Sequence, residues 1–251
     1  MNSNETIKNF ISRLDGFYAR DDSEAAGRLL SQMRREAEEN GDTGLLITVL
    51  NEQMGFFRKA GDRGNAFSCA EEALRLVTER GIREKVSGAT VLLNCATVFT
   101  AFNLTEDSFP LFEEAIAVYE RDLPSGDGRL AGLYNNYAEA LAAGGRYDCA
   151  LDLNEKALGI LSAIPGSGGE QAVTLLNRAD IIEGGTGPEA GLEQIEGCVL
   201  RAQELLENKN LAHDGGYAFI CRKCAPVFDH YGYFAYAKEL AERADGIYER
   251  A

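Results

Sequence analysis

Asparagine recurs in the chain at intervals that suggest a shared chemical role. An amide offers both a donor and an acceptor, so a row of them could pair with the N–H and C=O groups of an extended peptide. The same amides could instead bond between neighbouring helices. Asparagine is a mediocre helix former, because its amide competes for the backbone, yet the residues lie in stretches with helical periodicity. The set, at intervals of 43, 42 and 41 residues, is Asn51, Asn94, Asn136 and Asn177, with Asn135 beside the third.

Two cations follow in the same phase of the sequence. Arg222 and Lys223 stand where an earlier segment has Asn135 and Asn136. Because cations gather at one end of the series, they could orient a bound peptide. An ordinary solvated pair of surface cations explains them equally well, and both interpretations stay open.

Other motifs that resemble catalytic or cofactor sites are better explained as structure. Cys221 and Cys224 have redox-motif spacing but lie in a helical stretch, not in a strand–helix unit, and we expect them to fill the core. The segment GSGGE (166–170) lacks the Gly-Lys-Ser/Thr ending of a phosphate loop. His213 and His230 have no metal-ligand spacing. We therefore predict no catalytic residue, no metal and no cofactor.

The asparagines belong to a larger repeat. Each unit reads as two amphipathic helices joined by a tight turn, and a longer connector rich in Gly or Pro leads to the next unit. A fixed period of this size predicts a helical array. The first helices share the segments LNEQ (50–53), LNCA (93–96), NNYA (135–138), LNRA (176–179) and RKCA (222–225). The second helices share small residues, namely Ala73, Ala115, Ala157, Gly197 and Ala244.

This pattern resembles the tetratricopeptide repeat (TPR) family. The resemblance covers about residues 44 to 251, and the period, longer than the usual ~34 residues, is similar to that of the subclass found in kinesin light chains. Pro226 inside a first helix and the absence of Trp depart from the family pattern. The residues of one unit that match it are Ala138, Gly145, Tyr147, Ala150 and Ala157.

The resemblance implies an all-α, right-handed solenoid of about six helical hairpins. We assign residues 1–43 to an N-terminal capping helix pair and residues 44–251 to five hairpins in one continuous solenoid domain. In the family, first helices line a concave groove and the asparagine position faces it. In members that clamp a peptide carboxylate, Lys or Arg stands at such a position. The implied groove residues are Asn51, Asn94, Asn135, Asn136, Asn177, Arg222 and Lys223.

Composition narrows the class of partner. The net charge of −15, from 40 acidic and 25 basic residues, disfavours nucleic acid and anionic membranes, which require basic patches. The first residues lack the basic flank and apolar run of a secretory signal, and no apolar run is long enough to cross a membrane. The six cysteines are scattered, so we expect reduced thiols and a cytoplasmic location.

Together these features predict a non-enzymatic adaptor whose groove binds a peptide or an extended segment of a partner protein. A peptide-sensing regulator and a self-assembling structural solenoid are the alternatives. Self-assembly has a specific candidate, a homodimer through the C-terminal hairpin. We expect that hairpin to leave an apolar stripe uncovered, formed by Tyr233, Phe234, Tyr236, Leu240 and Ile247.

Overall fold

The computed structural model describes residues 3–250, which form twelve α-helices, paired in sequence as six hairpins, and no β-strand. The helices fall into two compact units, one ending at Leu123 and the other beginning at Pro124. The first unit contains α1 (Ser3–Tyr18), α2 (Ser23–Glu39), α3 (Thr43–Lys59), α4 (Arg63–Glu79), α5 (Val86–Ala101) and α6 (Thr105–Asp122). The second contains α7 (Gly128–Ala143), α8 (Tyr147–Ser162), α9 (Gly168–Thr186), α10 (Leu192–Leu206), α11 (Gly215–His230) and α12 (Phe234–Tyr248). The predicted all-α class and number of hairpins are confirmed.

The predicted N-terminal helix pair is present as α1 and α2. Its role as a cap stays a prediction, as does the division of the chain at residue 43. Residues 1, 2 and 251, which belong to the predicted segments 1–43 and 44–251, lie outside the described residues.

Each hairpin turns at one residue in the left-handed backbone region. Glycine adopts positive φ without steric penalty, and Asn and Asp tolerate it better than other residues. Such residues therefore recur between the two helices of each hairpin. The tight turns predicted between paired helices are confirmed. The residues, with their φ values, are Asp21 (56°), Gly61 (70°), Asn103 (64°), Gly145 (74°), Gly187 (83°) and Gly232 (84°).

Small residues at the repeated positions let the helices approach closely. In the first unit Ala73, Ala96 and Ala115 are completely buried. In the second unit the corresponding alanines are buried as well, and they include Ala138, Ala150, Ala157 and Ala244. The small-residue pattern therefore identified packing positions at these alanines. It was wrong for Gly197, which is exposed on α10, whereas Cys198 and Val199 beside it are buried.

The C-terminal hairpin differs from its prediction. Tyr236, Leu240 and Ile247 are buried among residues of the second unit, because α12 turns them toward α11. Of the predicted stripe only Phe234 is strongly exposed, at 66%, and Tyr233 is half-buried. The expectation of a continuous uncovered stripe was wrong.

Pro226 does not interrupt α11, which runs on to His230. A proline removes one backbone donor from a helix, and here the surrounding packing tolerates that loss. None of the helices in the described part of the chain combines the length and the apolar character needed to cross a membrane.

Candidate functional site: a groove along the first helices of the second unit

The two predicted groove asparagines of the first unit, Asn51 and Asn94, bond to each other. Asn94 Nδ2, on α5, donates to Asn51 Oδ1, on α3, at 3.1 Å. Both side chains are half-buried. This is the inter-helix use that the sequence left open, although one hydrogen bond leaves further donor and acceptor positions on both amides.

The second unit contains a cavity of about 600 Å³ along its first helices, α7, α9 and α11. Four of the predicted site residues line it together: Asn135, Asn136, Asn177 and Lys223. We call this cavity the α7–α9–α11 groove. Its size is within the range of ordinary ligand sites, and its wall contains both amide and apolar groups.

Asn136 has the least committed amide in the groove. Its Nδ2 donates to the carbonyl of Gly132 in its own helix at 2.9 Å, and its Oδ1 accepts no hydrogen bond from any residue between 3 and 250. A donor hydrogen and an acceptor therefore stay available at the wall.

Asn135 is more firmly bound to the protein. Its Nδ2 donates to Thr174 Oγ1 on α9 at 2.7 Å, and its Oδ1 is buried without a donor among the described residues. Asn154 of α8 joins the same region, since its Nδ2 donates to the Thr174 carbonyl at 2.9 Å. These bonds tie α7, α8 and α9 together, so Asn135 braces the groove as well as lining it.

Asn177, Glu139 and Lys223 form a chain of contacts across the three helices. Asn177 Nδ2 donates to Glu139 Oε1 at 2.6 Å, and Lys223 Nζ lies 3.8 Å from the same oxygen. Glu139 and Lys223 are each almost half exposed. A pair this long and exposed is weak.

Arg222 is not among the residues that line the groove. Its Nη2 donates to Asp245 Oδ1 of α12 at 2.9 Å, and its guanidinium lies 4.4 Å from the centre of the Tyr248 ring. The structure therefore separates the two adjacent cations: Lys223 faces the groove and Arg222 faces the second helix of its own hairpin.

An apolar wall completes the groove. Gly132, Val173 and Phe219 line the cavity and lie one helical turn before Asn136, Asn177 and Lys223 respectively. Ile220 sits over Gly169, where a Cβ would overlap its side chain. Phe219 is 49% exposed, so this wall is open to a ligand.

One turn beyond Asn177, a second polar cluster joins the ends of α9 and α11. Tyr231 donates to Asp180 Oδ1 at 2.9 Å, and His230 Nε2 lies 2.8 Å from Glu183 Oε2. Burial raises the pKa of Asp180, although the hydrogen bond from Tyr231 opposes this. The hydrogen bond with Glu183 raises the pKa of His230. This end of α9 therefore carries two carboxylates, those of Asp180 and Glu183, and Glu183 is paired with a titratable histidine.

The Cys-x-x-Cys pair belongs to the core. Cys221 and Cys224 are 0% and 1% exposed. Burial raises the pKa of Cys221 and raises that of Cys224 to about 12, which keeps both thiols protonated and unreactive. The packing interpretation of the motif is confirmed. In residues 3–250 no group of three or more His, Cys, Asp or Glu side chains is arranged to hold a metal ion.

The sequence interpretation missed the apolar wall and Glu170 of α9, an acid that also lines the cavity. The spacing in the sequence could have revealed the apolar wall, because Gly132, Val173 and Phe219 each precede a predicted groove residue by four positions. The amides drew attention through their chemistry, whereas a Gly, a Val and a Phe at matching positions look like unrelated residues.

Solved structures identify the architecture. BtubC (BKLC) from P. vanneervenii matches with a TM-score of 0.65 and 22% identity, over 79% of this chain and 79% of that one. The chain has the TPR-like repeat fold. A putative kinesin light chain with nearly identical TPR-like repeats from Podosopora anserina matches with a TM-score of 0.55 and 16% identity, over 79% of this chain and 92% of that one.

The resemblance to kinesin-light-chain-like TPR repeats, drawn above from the residues alone, is therefore confirmed at the level of the fold. No protein-family model matches the chain, and no curated protein matches it significantly.

Proposed function

We propose that the protein is a non-enzymatic interaction scaffold and that its α7–α9–α11 groove binds an extended segment of a partner protein. The observation that carries the proposal is the cavity of about 600 Å³ whose wall places Asn136, Asn177 and Lys223 beside apolar side chains. Such a mixture of a few polar groups on an apolar surface is typical of binding sites.

The geometry of parallel first helices suits an extended peptide. Packed helices lie about 8–10 Å apart, and a peptide advances about 3.3 Å per residue. A peptide crossing from Asn136 to Asn177 would therefore meet one amide about every third residue. Each amide can bond to peptide backbone of any sequence, so the amides supply affinity and the remaining wall supplies selectivity.

Asn51 and Asn94 remain proposed groove residues of the first unit. Their mutual hydrogen bond gives them a structural role in the absence of a partner. Arg222 bonds to Asp245 and does not line the α7–α9–α11 groove, so it has the weakest support among the predicted groove residues. The proposed cytoplasmic location stays a prediction.

The test is to capture the partner from a native cell extract with the full chain, and then to measure its affinity for the wild type and for Asn136→Ala. Each amide–backbone bond contributes about 0.5–1.5 kcal/mol, so the variant should bind roughly two- to tenfold more weakly. Its melting temperature should be almost unchanged, because the amide bonds only within its own helix. Unchanged affinity would reject the role of Asn136.

A second candidate function, self-assembly, is supported by one specific observation. Phe234, at the start of α12, exposes 66% of its surface and could contact a second copy of the chain. A peptide-sensing regulator remains compatible with the same groove and differs from the scaffold only in what binding triggers.

A further inference from the structure

We propose that the α7–α9–α11 groove selects a partner segment in which a bulky apolar residue stands next to a lysine or arginine. This inference rests on the proposed function and specifies the chemistry of the occupant. Two independent features of the wall carry it, namely its shape and its charge.

The shape of the groove calls for a bulky apolar side chain. Gly132 on α7, Val173 on α9 and Phe219 on α11 hold equivalent positions in their helices, and the side chain grows from the first to the third. A Cβ at Gly132 would have no heavy atom outside its own helix turn within 4 Å, so packing does not require a glycine there. Glycine is unfavourable inside a helix. Its presence leaves a space over α7, in the same cavity that Val173 and Phe219 line, and a bulky apolar side chain could enter that space.

The charge of the groove calls for a cation. Three carboxylates line the cavity, those of Glu139, Glu170 and Asp214, against the single ammonium of Lys223. Lys223 lies beside Glu139, and Asp214 accepts a hydrogen bond from the Tyr217 N–H at 3.1 Å. A net negative charge therefore remains in the cavity.

Glu170 is the acid best placed to meet that cation. It is exposed, lies in the first turn of α9, and pairs with no basic side chain between residues 3 and 250. Glu170 and Val173 are three residues apart, so they are neighbours on one helix face, about 5–6 Å apart. Adjacent peptide residues are separated by about 3.3 Å, which places the basic residue one or two positions from the apolar one.

The first test is selection from a random-peptide display library against the full chain. The proposal predicts that enriched peptides carry an aromatic or large aliphatic residue within two positions of Lys or Arg. The same library is then presented to Gly132→Leu, whose added side chain occupies the space over α7, and we expect the enrichment to disappear.

The second test isolates the charge with matched variants. Glu170→Gln should weaken a selected basic peptide roughly two- to fivefold, as expected for loss of one exposed ion pair, and the effect should shrink with added salt. Glu193→Gln is the control, because Glu193 is also an exposed glutamate in the first turn of a helix, α10, and lies outside the cavity lining. It should leave the affinity unchanged.

The outcomes separate the two proposals. Enrichment of acidic or purely polar peptides that Gly132→Leu still abolishes would overturn the basic–apolar inference and leave the groove as the binding site. Enrichment that survives in Gly132→Leu would reject the groove itself. Failure to enrich any peptide would overturn the inference as well, since a preformed cavity of this composition should bind short segments.

Discussion

Each groove asparagine takes part in a hydrogen bond within the protein. The partner in that bond decides how much stability is lost when the asparagine is replaced by alanine. Asn94 bonds to Asn51 on another helix, and Asn177 bonds to Glu139 on another helix. Asn136 bonds only to the backbone of its own helix. The sequence could place all of these amides in one phase, but it could not choose their partners. Partner choice depends on how neighbouring helices are rotated relative to one another, which the pattern of a single helix does not encode.

The first prediction contrasts two alanine substitutions. Asn94→Ala loses an inter-helix hydrogen bond that contributes about 0.5–1.5 kcal/mol, and the better helix propensity of alanine offsets roughly half a kcal/mol of this. Asn136→Ala gains the same propensity without losing an inter-helix bond. Urea unfolding should therefore find Asn94→Ala less stable than Asn136→Ala. Equal stabilities would contradict the assigned partners.

The second prediction concerns pH and His230. Its pKa is raised above the ordinary 6.5 by the hydrogen bond with Glu183, with Asp180 as a further nearby acid and Tyr231 bonded to both carboxylates. A raised folded-state pKa stabilises the protein fully below the unfolded pKa, and this contribution is lost as the pH rises through the folded value.

The stabilisation from His230 should therefore be complete below the ordinary pKa of about 6.5 and shrink over the range of pH above it. The measurement is the difference in melting temperature between the wild type and His230→Gln across this range. Glu183→Gln should remove most of the pH dependence. A difference that grows with pH would show that the assigned pair does not stabilise the fold.

At the scale of helices and connectors, the correct predictions of turns and packing positions rested mostly on glycines and other small residues. A tight turn was predicted inside each helix pair, and Gly61, Gly145 and Gly232 supply the left-handed backbone of three of these turns. The buried alanines were predicted from their recurrence. The apolar stripe on α12 was misjudged, because the sequence shows which residues are apolar but not which way a terminal helix turns them. The exposed wall at Phe219 was missed for another reason, because Gly132, Val173 and Phe219 share a phase but do not look alike.

The third prediction uses one glycine that a connector requires. A Cβ at Gly88 of α5 would overlap the backbone of Ile82 and Arg83 in the connector before it. Backbone atoms cannot move aside as a side-chain end can, so Gly88→Ala should lower the free energy of unfolding by about 1–3 kcal/mol, as overpacking does.

Gly55→Ala is the matched control, because Gly55 also lies inside a helix, α3, and has open space around it. It should raise stability by about 0.5–1 kcal/mol. Thermal or urea unfolding of both variants checks the contrast. A stabilised Gly88→Ala would mean that the connector does not lie against α5.

At the scale of the whole molecule, the question is whether the chain acts alone or with a second copy. The burial of Tyr236, Leu240 and Ile247 removes most of the apolar surface once expected at the C-terminal hairpin. If Phe234 nevertheless mediates association, light scattering at high micromolar concentration should detect a dimer that Phe234→Ser converts to a monomer. A strictly monomeric wild type would reject self-assembly through this hairpin.

The central claim, that the α7–α9–α11 groove is the partner-binding surface, can be tested with two glycines of the second unit. Gly132 lies in the groove and Gly159 lies on α8, outside its lining. Both are exposed, both have open space for a Cβ, and the carbonyl of each accepts a side-chain hydrogen bond. Replacing either by leucine should therefore have a similar, slightly stabilising effect on its helix.

The decisive measurement is the affinity of the captured partner for the wild type, Gly132→Leu and Gly159→Leu, with melting temperatures recorded on the same samples. The account predicts that Gly132→Leu binds about tenfold more weakly or worse, because its side chain occupies the space meant for the partner. Gly159→Leu should bind as the wild type does, with both variants at least as stable as the wild type. Equal affinity of the two leucine variants would contradict the account.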